Sequence, residues 1–144
     1  MKSFFLAFFA IIATTGVFAQ NKKATDAVQF KEVKHDFGKI KQASPVTYDF
    51  AFKNVSGKPV VIESATASCG CTTPKWPTTP VVKSKSDKIT AGFNAASPGP
   101  FEKTITVKVA GYEQPVELKI VGEVLTPEAY VKYQETVKDK KTGK

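Results

Sequence analysis

The chain contains no arginine, and all 21 of its basic residues are lysine. That absence argues against nucleic acid as a partner, because bidentate readout of phosphates and base edges relies on the planar guanidinium. A single histidine, His35, leaves no Ser-His-acid or Cys-His-acid constellation for nucleophilic catalysis. No glycine-rich phosphate loop follows a strand and opens a helix, and no carboxylate pair stands out for acid–base work. Only two cysteines are present, and they lie two residues apart. They cannot form the disulfide between distant strands that antibody-type sandwiches use. Beyond Val17 no stretch is apolar enough to span a membrane.

What is present begins with an export pattern. Lys2 gives a positive start, and Phe4 to Val17 is a mostly apolar run. Val17-Phe18-Ala19 then offers small residues at the two positions a signal peptidase reads. Residues 1–19 are therefore expected to be a signal peptide, with a mature chain from Gln20 in the periplasm or outside the cell. The run is too short and too interrupted by Thr and Gly for a comfortable membrane anchor. No cysteine follows it, which argues against a lipid anchor. The remainder, roughly 125 residues, suits one domain plus a tail.

The formal net charge is +8. Such an excess suits an anionic partner, such as lipid head groups or cell-surface polysaccharide. Much of it lies outside any domain face, however. Lys22-Lys23 sit in the leader, and Lys138, Lys140, Lys141 and Lys144 crowd the C-terminus.

Period-two alternation dominates from Val28 to Val124. Val46, Tyr48, Phe50 and Phe52 alternate with Thr47, Asp49, Ala51 and Lys53, so one face is apolar and the other wet. Asn54 to Pro59 reads as a turn. Val60 and Ile62 open the next strand, which runs toward Ala67 and the cysteines. Further alternating sets are Ile89/Ala91/Phe93, then Phe101 through Val109, then Val116/Leu118/Ile120. An opening strand from Val28 to Val33 precedes a turn at His35-Asp36-Phe37-Gly38. Six or seven short strands with regular turn signals predict an all-β, immunoglobulin-like antiparallel sandwich of about seven strands over residues 28–125. Its large fillers are Phe30, Phe37, Phe50, Phe52, Phe93 and Phe101. Residues 20–27 are expected to be a mobile leader, and 126–144 a Lys-rich tail. Thr126-Pro127-Glu128 can open a helix there, whereas Lys138 to Lys144 has the composition of a disordered end.

Several segments together resemble a known family. They are His35-Asp36-Phe37-Gly38-Lys39-Ile40, Phe50-Ala51-Phe52-Lys53-Asn54, and Ser68-Cys69-Gly70-Cys71-Thr72-Thr73-Pro74-Lys75-Trp76-Pro77. Pro98 through Ile105 and Ile120-Val121-Gly122-Glu123-Val124 complete the pattern. The string resembles the uncharacterised domain of unknown function family 1573 of secreted bacterial proteins, over roughly Phe30 to Val124. The resemblance implies an immunoglobulin-like sandwich similar to modules of cilium and centrosome proteins and of periplasmic pilus chaperones. It implies no established activity. Two segments depart from the family: Val82 to Lys88, before the Ile89 strand, and Val109-Ala110-Gly111.

The Cys69/Cys71 pair admits three readings. Exported proteins keep disulfides, and Gly70 permits the bend that brings two sulfurs together, within the ~7 Å Cα limit for bridging. Reduced, the thiols share one face of a strand and suit a soft ion, although a complete zinc site wants four ligands. Unbridged, they are small residues packed at a strand end. Redox exchange usually employs Cys-x-x-Cys at a helix start, which this chain lacks. His35 reads as a hydrogen-bonded turn histidine. Trp76, on the stiff Thr72-Thr73-Pro74-Lys75-Trp76-Pro77 segment, either anchors a partner or folds back over the sandwich.

These observations predict a non-catalytic binding or scaffolding module of the cell envelope, without cofactor or metal. Its expected contact surface is the Thr72 to Pro77 loop, and its expected partner an envelope protein or polysaccharide. The alternative is a redox-active or soft-metal protein using Cys69 and Cys71.

Overall fold

A computed structural model of the chain describes residues 22–142. The segment expected to be a signal peptide lies outside the described residues. Eight strands form two four-stranded sheets, followed by one helix. The strands are β1 (Val28–Phe30), β2 (Lys34–Lys41), β3 (Val46–Asn54), β4 (Ile62–Ala67), β5 (Thr72–Lys75), β6 (Ser86–Phe93), β7 (Gly99–Val109) and β8 (Val116–Leu125). The first sheet runs β1-β3-β6-β5 and the second β2-β8-β7-β4. The chain is thus an all-β sandwich of the immunoglobulin type.

The period-two pattern places the core between the sheets. Phe50, Ile89, Ile105, Leu118 and Ile120 are fully buried, and Phe52, Phe93 and Phe101 join them. Each such side chain contributes on the order of 1.5–3 kcal/mol by its burial. Phe30 and Phe37 pack against this core only half-buried.

Three features differ from the sequence expectation. The sandwich is not wholly antiparallel, because β2 pairs with β8 in parallel register, from Lys34 opposite Lys119 to Lys41 opposite Leu125. The His35-Asp36-Phe37-Gly38 segment is not a strand-ending turn but a bulge inside β2. The Asp36 Oδ1 accepts the Gly38 N–H at 2.7 Å, and Gly38 takes φ +64°. This local side-chain bond imitates a turn, while pairing resumes at Lys39.

The leader is the third difference. Lys22 to Ala27 is tied down rather than mobile. Glu113 donates its N–H to the Lys22 carbonyl, Ala24 donates to Gln114, and Ala24 to Asp26 form a 3-10 turn. Ala24 and Ala27 are fully buried, their small side chains filling the rim of the core.

Helix α1 (Pro127–Thr142) follows β8. Thr126 Oγ1 accepts the Ala129 N–H at 3.3 Å as its cap, with Pro127 at the first position. Ala129, Tyr130 and Tyr133 are half-buried, and Lys39 of β2 lies over the Tyr133 ring. The helix continues past Lys138, where disorder was expected, because Lys140 and Lys141 are good helix formers that extend a helix whose first turn is anchored.

Candidate functional site

The first four residues of the expected Thr72–Pro77 loop form a strand, while Trp76 and Pro77 follow it outside regular structure. Thr72 to Lys75 form β5, an edge strand paired to β6 from Thr72 opposite Phe93 to Lys75 opposite Thr90. This strand separates the two candidate features. Cys69 and Cys71 lie at one end of the sandwich, and Trp76 lies roughly 13 Å along β5 at about 3.3 Å per residue.

At the first end, Cys69 and Cys71 are joined by a disulfide, with Cα atoms 5.3 Å apart. Neighbouring loops brace this knuckle. Asn94 donates its N–H to the Cys71 carbonyl at 3.1 Å, and Thr72 donates to the Cys69 carbonyl at 3.3 Å. The Asn94–Pro98 loop is in turn held by Ala43, whose N–H reaches the Ala95 carbonyl, and by the Gln42 side chain on Ala96. Both cysteines are half-buried. Shallow depressions of about 180 and 210 Å³ flank Cys71 and share Phe93 and Asn94.

The bridge closes only a three-residue loop. The chain-entropy relation then gives it about 1.5 kcal/mol. A Cys69→Ser/Cys71→Ser double variant should therefore fold with the same β spectrum and lose less than about 2 kcal/mol in urea. A loss above about 4 kcal/mol would show that the knuckle organises the core.

The free edge of β5 is closed to an added strand. Because Cys71 faces Asn94 through its carbonyl, period two turns the backbone groups of Thr73 and Lys75 toward β6, and those of Thr72 and Pro74 outward. The Thr72 N–H is already used on Cys69, and Pro74 has none to offer. Proline on an outward edge position is a recurrent guard against strand addition.

At the far end of β5, Trp76 is half-buried and packs against the core, so it folds back over the sandwich. It still borders an open depression of about 190 Å³ with Lys75, Pro77, Asp87, Lys88 and Thr90. Beside it, Lys88 Nζ lies 2.6 Å from Asp49, and Thr90 Oγ1 donates to the other Asp49 oxygen at 2.5 Å. The Lys88 hydrogen bond, then that of Thr90, holds the Asp49 carboxyl below its ordinary value, and Asp49 correspondingly raises Lys88.

His35 lies away from both features. Its ring stacks on Tyr48 at 3.5 Å between centroids, and Nδ1 is 3.7 Å from Glu32, which also accepts a hydrogen bond from the Tyr48 hydroxyl. Among the described residues no group of three or more His, Cys, Asp or Glu side chains is placed to hold a metal ion. None of the described helices is long and apolar enough to cross a membrane.

Two structural residues escaped the sequence reading. Asn54 is fully buried and joins two loops through its side chain. Gly122 on β8 lies directly against Gly38 of the β2 bulge and against Phe101. Asn54 carried a signal only as an unusual polar residue closing an apolar strand.

The model of the family described as "Protein of unknown function (DUF1573)" matches residues 28–124. The chain belongs to this family. Several solved structures share the fold of this DUF1573 domain. A protein of unknown function from Porphyromonas gingivalis W83 aligns with TM-score 0.58 and 12% identity, over 67% of this chain and 46% of that one. The ASH/PapD-like domain 7 of human CEP192 aligns with TM-score 0.62 and 8% identity, over 81% of this chain and 98% of that one. The VesB protease of Vibrio cholerae aligns with TM-score 0.53 and 12% identity, over 70% of this chain and 33% of that one. The DUF1573 chain thus spans under half of the Porphyromonas protein and a third of the protease. At such identities the likeness is one of fold. No curated protein matches the sequence.

Proposed function

We propose that this protein is an exported, non-catalytic binding or scaffolding module of the cell envelope, with the Trp76 end of β5 as its contact surface. One observation carries the reading. Trp76 is pinned on the core yet borders an open depression with Lys75, Pro77 and Thr90. A large aromatic held in one position offers contact area without the entropic cost of ordering a flexible side chain. The partner is an envelope protein or a polysaccharide. The export pattern of residues 1–19 supports the compartment.

Cell fractionation with N-terminal sequencing should recover a chain beginning at Gln20 in the envelope or medium. Cross-linking in envelope extracts should capture a partner with wild type and not with Trp76→Ala. Because Trp76 also packs, Lys75→Glu provides a rim variant that leaves the core intact. Equal capture by wild type and both variants would show that this surface is the wrong one.

A second reading, redox exchange at Cys69 and Cys71, draws on the half-buried state of the bridge. It predicts that the disulfide equilibrates with a glutathione buffer and that the double serine variant loses all function. A bridge inert to glutathione ends it.

A further inference from the structure

We infer that the outer face of the β1-β3-β6-β5 sheet is a docking surface for a linear acidic polysaccharide. This rests on the binding reading above and supplies the chemistry of the partner. The two outer faces of the sandwich differ in charge. On the second sheet, Lys34, Lys108 and Lys119 alternate with Asp36, Glu102, Glu117 and Glu123, and Lys119 pairs with Glu102. Lys39 of the same sheet pairs with Glu123. That face is balanced.

The first sheet is not. The register sets Lys53 of β3 beside Ser86, Ala51 beside Lys88, and Lys75 of β5 beside Thr90, all on the outer side. Lys31 follows β1 and donates its N–H to the Ala51 carbonyl, so it adjoins the same face. Four lysines thus meet two carboxylates there: Asp49, which is taken by Lys88, and Asp87, which borders the Trp76 depression with Lys75 and Lys88. Among the described residues, Lys31, Lys53 and Lys75 have no acidic partner. Lys83 and Lys85 are exposed in the loop that leads into β6.

The face also has a seat. A depression of about 390 Å³ lies over Ala51, with Lys31 and Lys53 among its walls and Gln29 and Ser86 beside them. The small Ala51 leaves the room, the two ammonium groups supply the charge, and an amide and a hydroxyl supply hydrogen bonds. From Lys75 to Lys31 the face crosses three inter-strand steps, about 14 Å, a track for several sugar units rather than one.

The uncharged residues select among polyanions. They are Gln29, Thr47, Ala51, Thr73, Ser86 and Thr90, mostly hydroxyls and amides. The large apolar side chains that border this face, Trp76 and Phe30, are half-buried and pack against the core, so neither is free to enter a bilayer as membrane-surface binders require. No row of aromatics is present to stack nucleic-acid bases. Hydroxyl-rich surface fringed by lysine matches a carbohydrate carrying carboxylates.

The test is titration of the chain beginning at Gln20 with polygalacturonate, neutral dextran, phosphatidylglycerol vesicles and single-stranded DNA. Polygalacturonate should bind saturably, weaken steeply with added salt, and exceed the other three. Lys31→Glu/Lys53→Glu should weaken it more than tenfold. The matched control Lys34→Glu/Lys108→Glu, on the opposite face, should change it less than twofold. Equal loss in both double variants would show a net-charge effect and overturn the site. Tighter binding to vesicles or DNA would overturn the ligand class. No polyuronate binding, with partner capture at Trp76 intact, would sink this inference and leave the binding reading standing; loss of both would sink the two together.

Discussion

Replacing Asn54 with alanine will lower the unfolding free energy by about 3–4 kcal/mol. The residue closes β3 and is fully buried. Its Nδ2 donates to the Lys58 carbonyl at 2.9 Å and to the Val81 carbonyl at 2.8 Å. Its Oδ1 accepts the Ser56 N–H at 2.9 Å and the Ser56 hydroxyl at 2.8 Å. Its backbone also binds Lys85 and Ser84. One side chain therefore ties the Val55–Pro59 turn to the Val81–Lys85 loop. Truncation removes four side-chain hydrogen bonds around a fully buried position and leaves a void there, although the Lys58 carbonyl keeps the Ser56 hydroxyl and the Val81 carbonyl keeps the Val60 N–H. Asn54→Asp should cost at least as much, because a carboxylate would face the same two carbonyls with no donor. Urea unfolding followed by circular dichroism checks this. A loss below 1 kcal/mol for both variants would mean that the loops hold without the hub.

The second large effect is expected at Gly122. A Cβ there would meet the Gly38 carbonyl oxygen at 2.7 Å and the Phe101 ring at 2.8 Å. Neither neighbour can yield. Gly38 is backbone in the β2 bulge, and the Phe101 ring stacks on Phe93 at 4.2 Å in the core. Gly122→Ala should therefore destabilise the fold by about 3 kcal/mol or more, or prevent folding. Gly57→Ala is the control, since a Cβ at that position would meet nothing within 4 Å. It should remain within about 0.5 kcal/mol of wild type. Thermal melts of the pair decide the matter, and similar midpoints would refute it.

The fold class was legible because strand periodicity is local. Burial on one face imposes alternation residue by residue, and Val46 to Phe52 shows it without any knowledge of partners. The bulge in β2 was not legible. His35-Asp36-Phe37-Gly38 carries the residues of a turn, and only parallel pairing with β8 on both sides of it makes it a strand. The leader misled for a related reason. Lys22 to Asp26 is polar and short, but its backbone finds partners at Glu113 and Gln114, some ninety positions away.

The candidate site divides in the same way. Neighbours along the chain suffice to establish that two cysteines lie within bridging reach of one another and that a stiff proline-flanked tryptophan follows. Composition alone makes every cation a lysine. The assembled sandwich was needed to show that β5 parts the cysteines from Trp76, that Pro74 guards an open edge, and that Lys31, Lys53 and Lys75 share one face. Those facts depend on the register between strands distant in sequence. Register is set by the joint packing of both sheets around one core, which no local pattern contains.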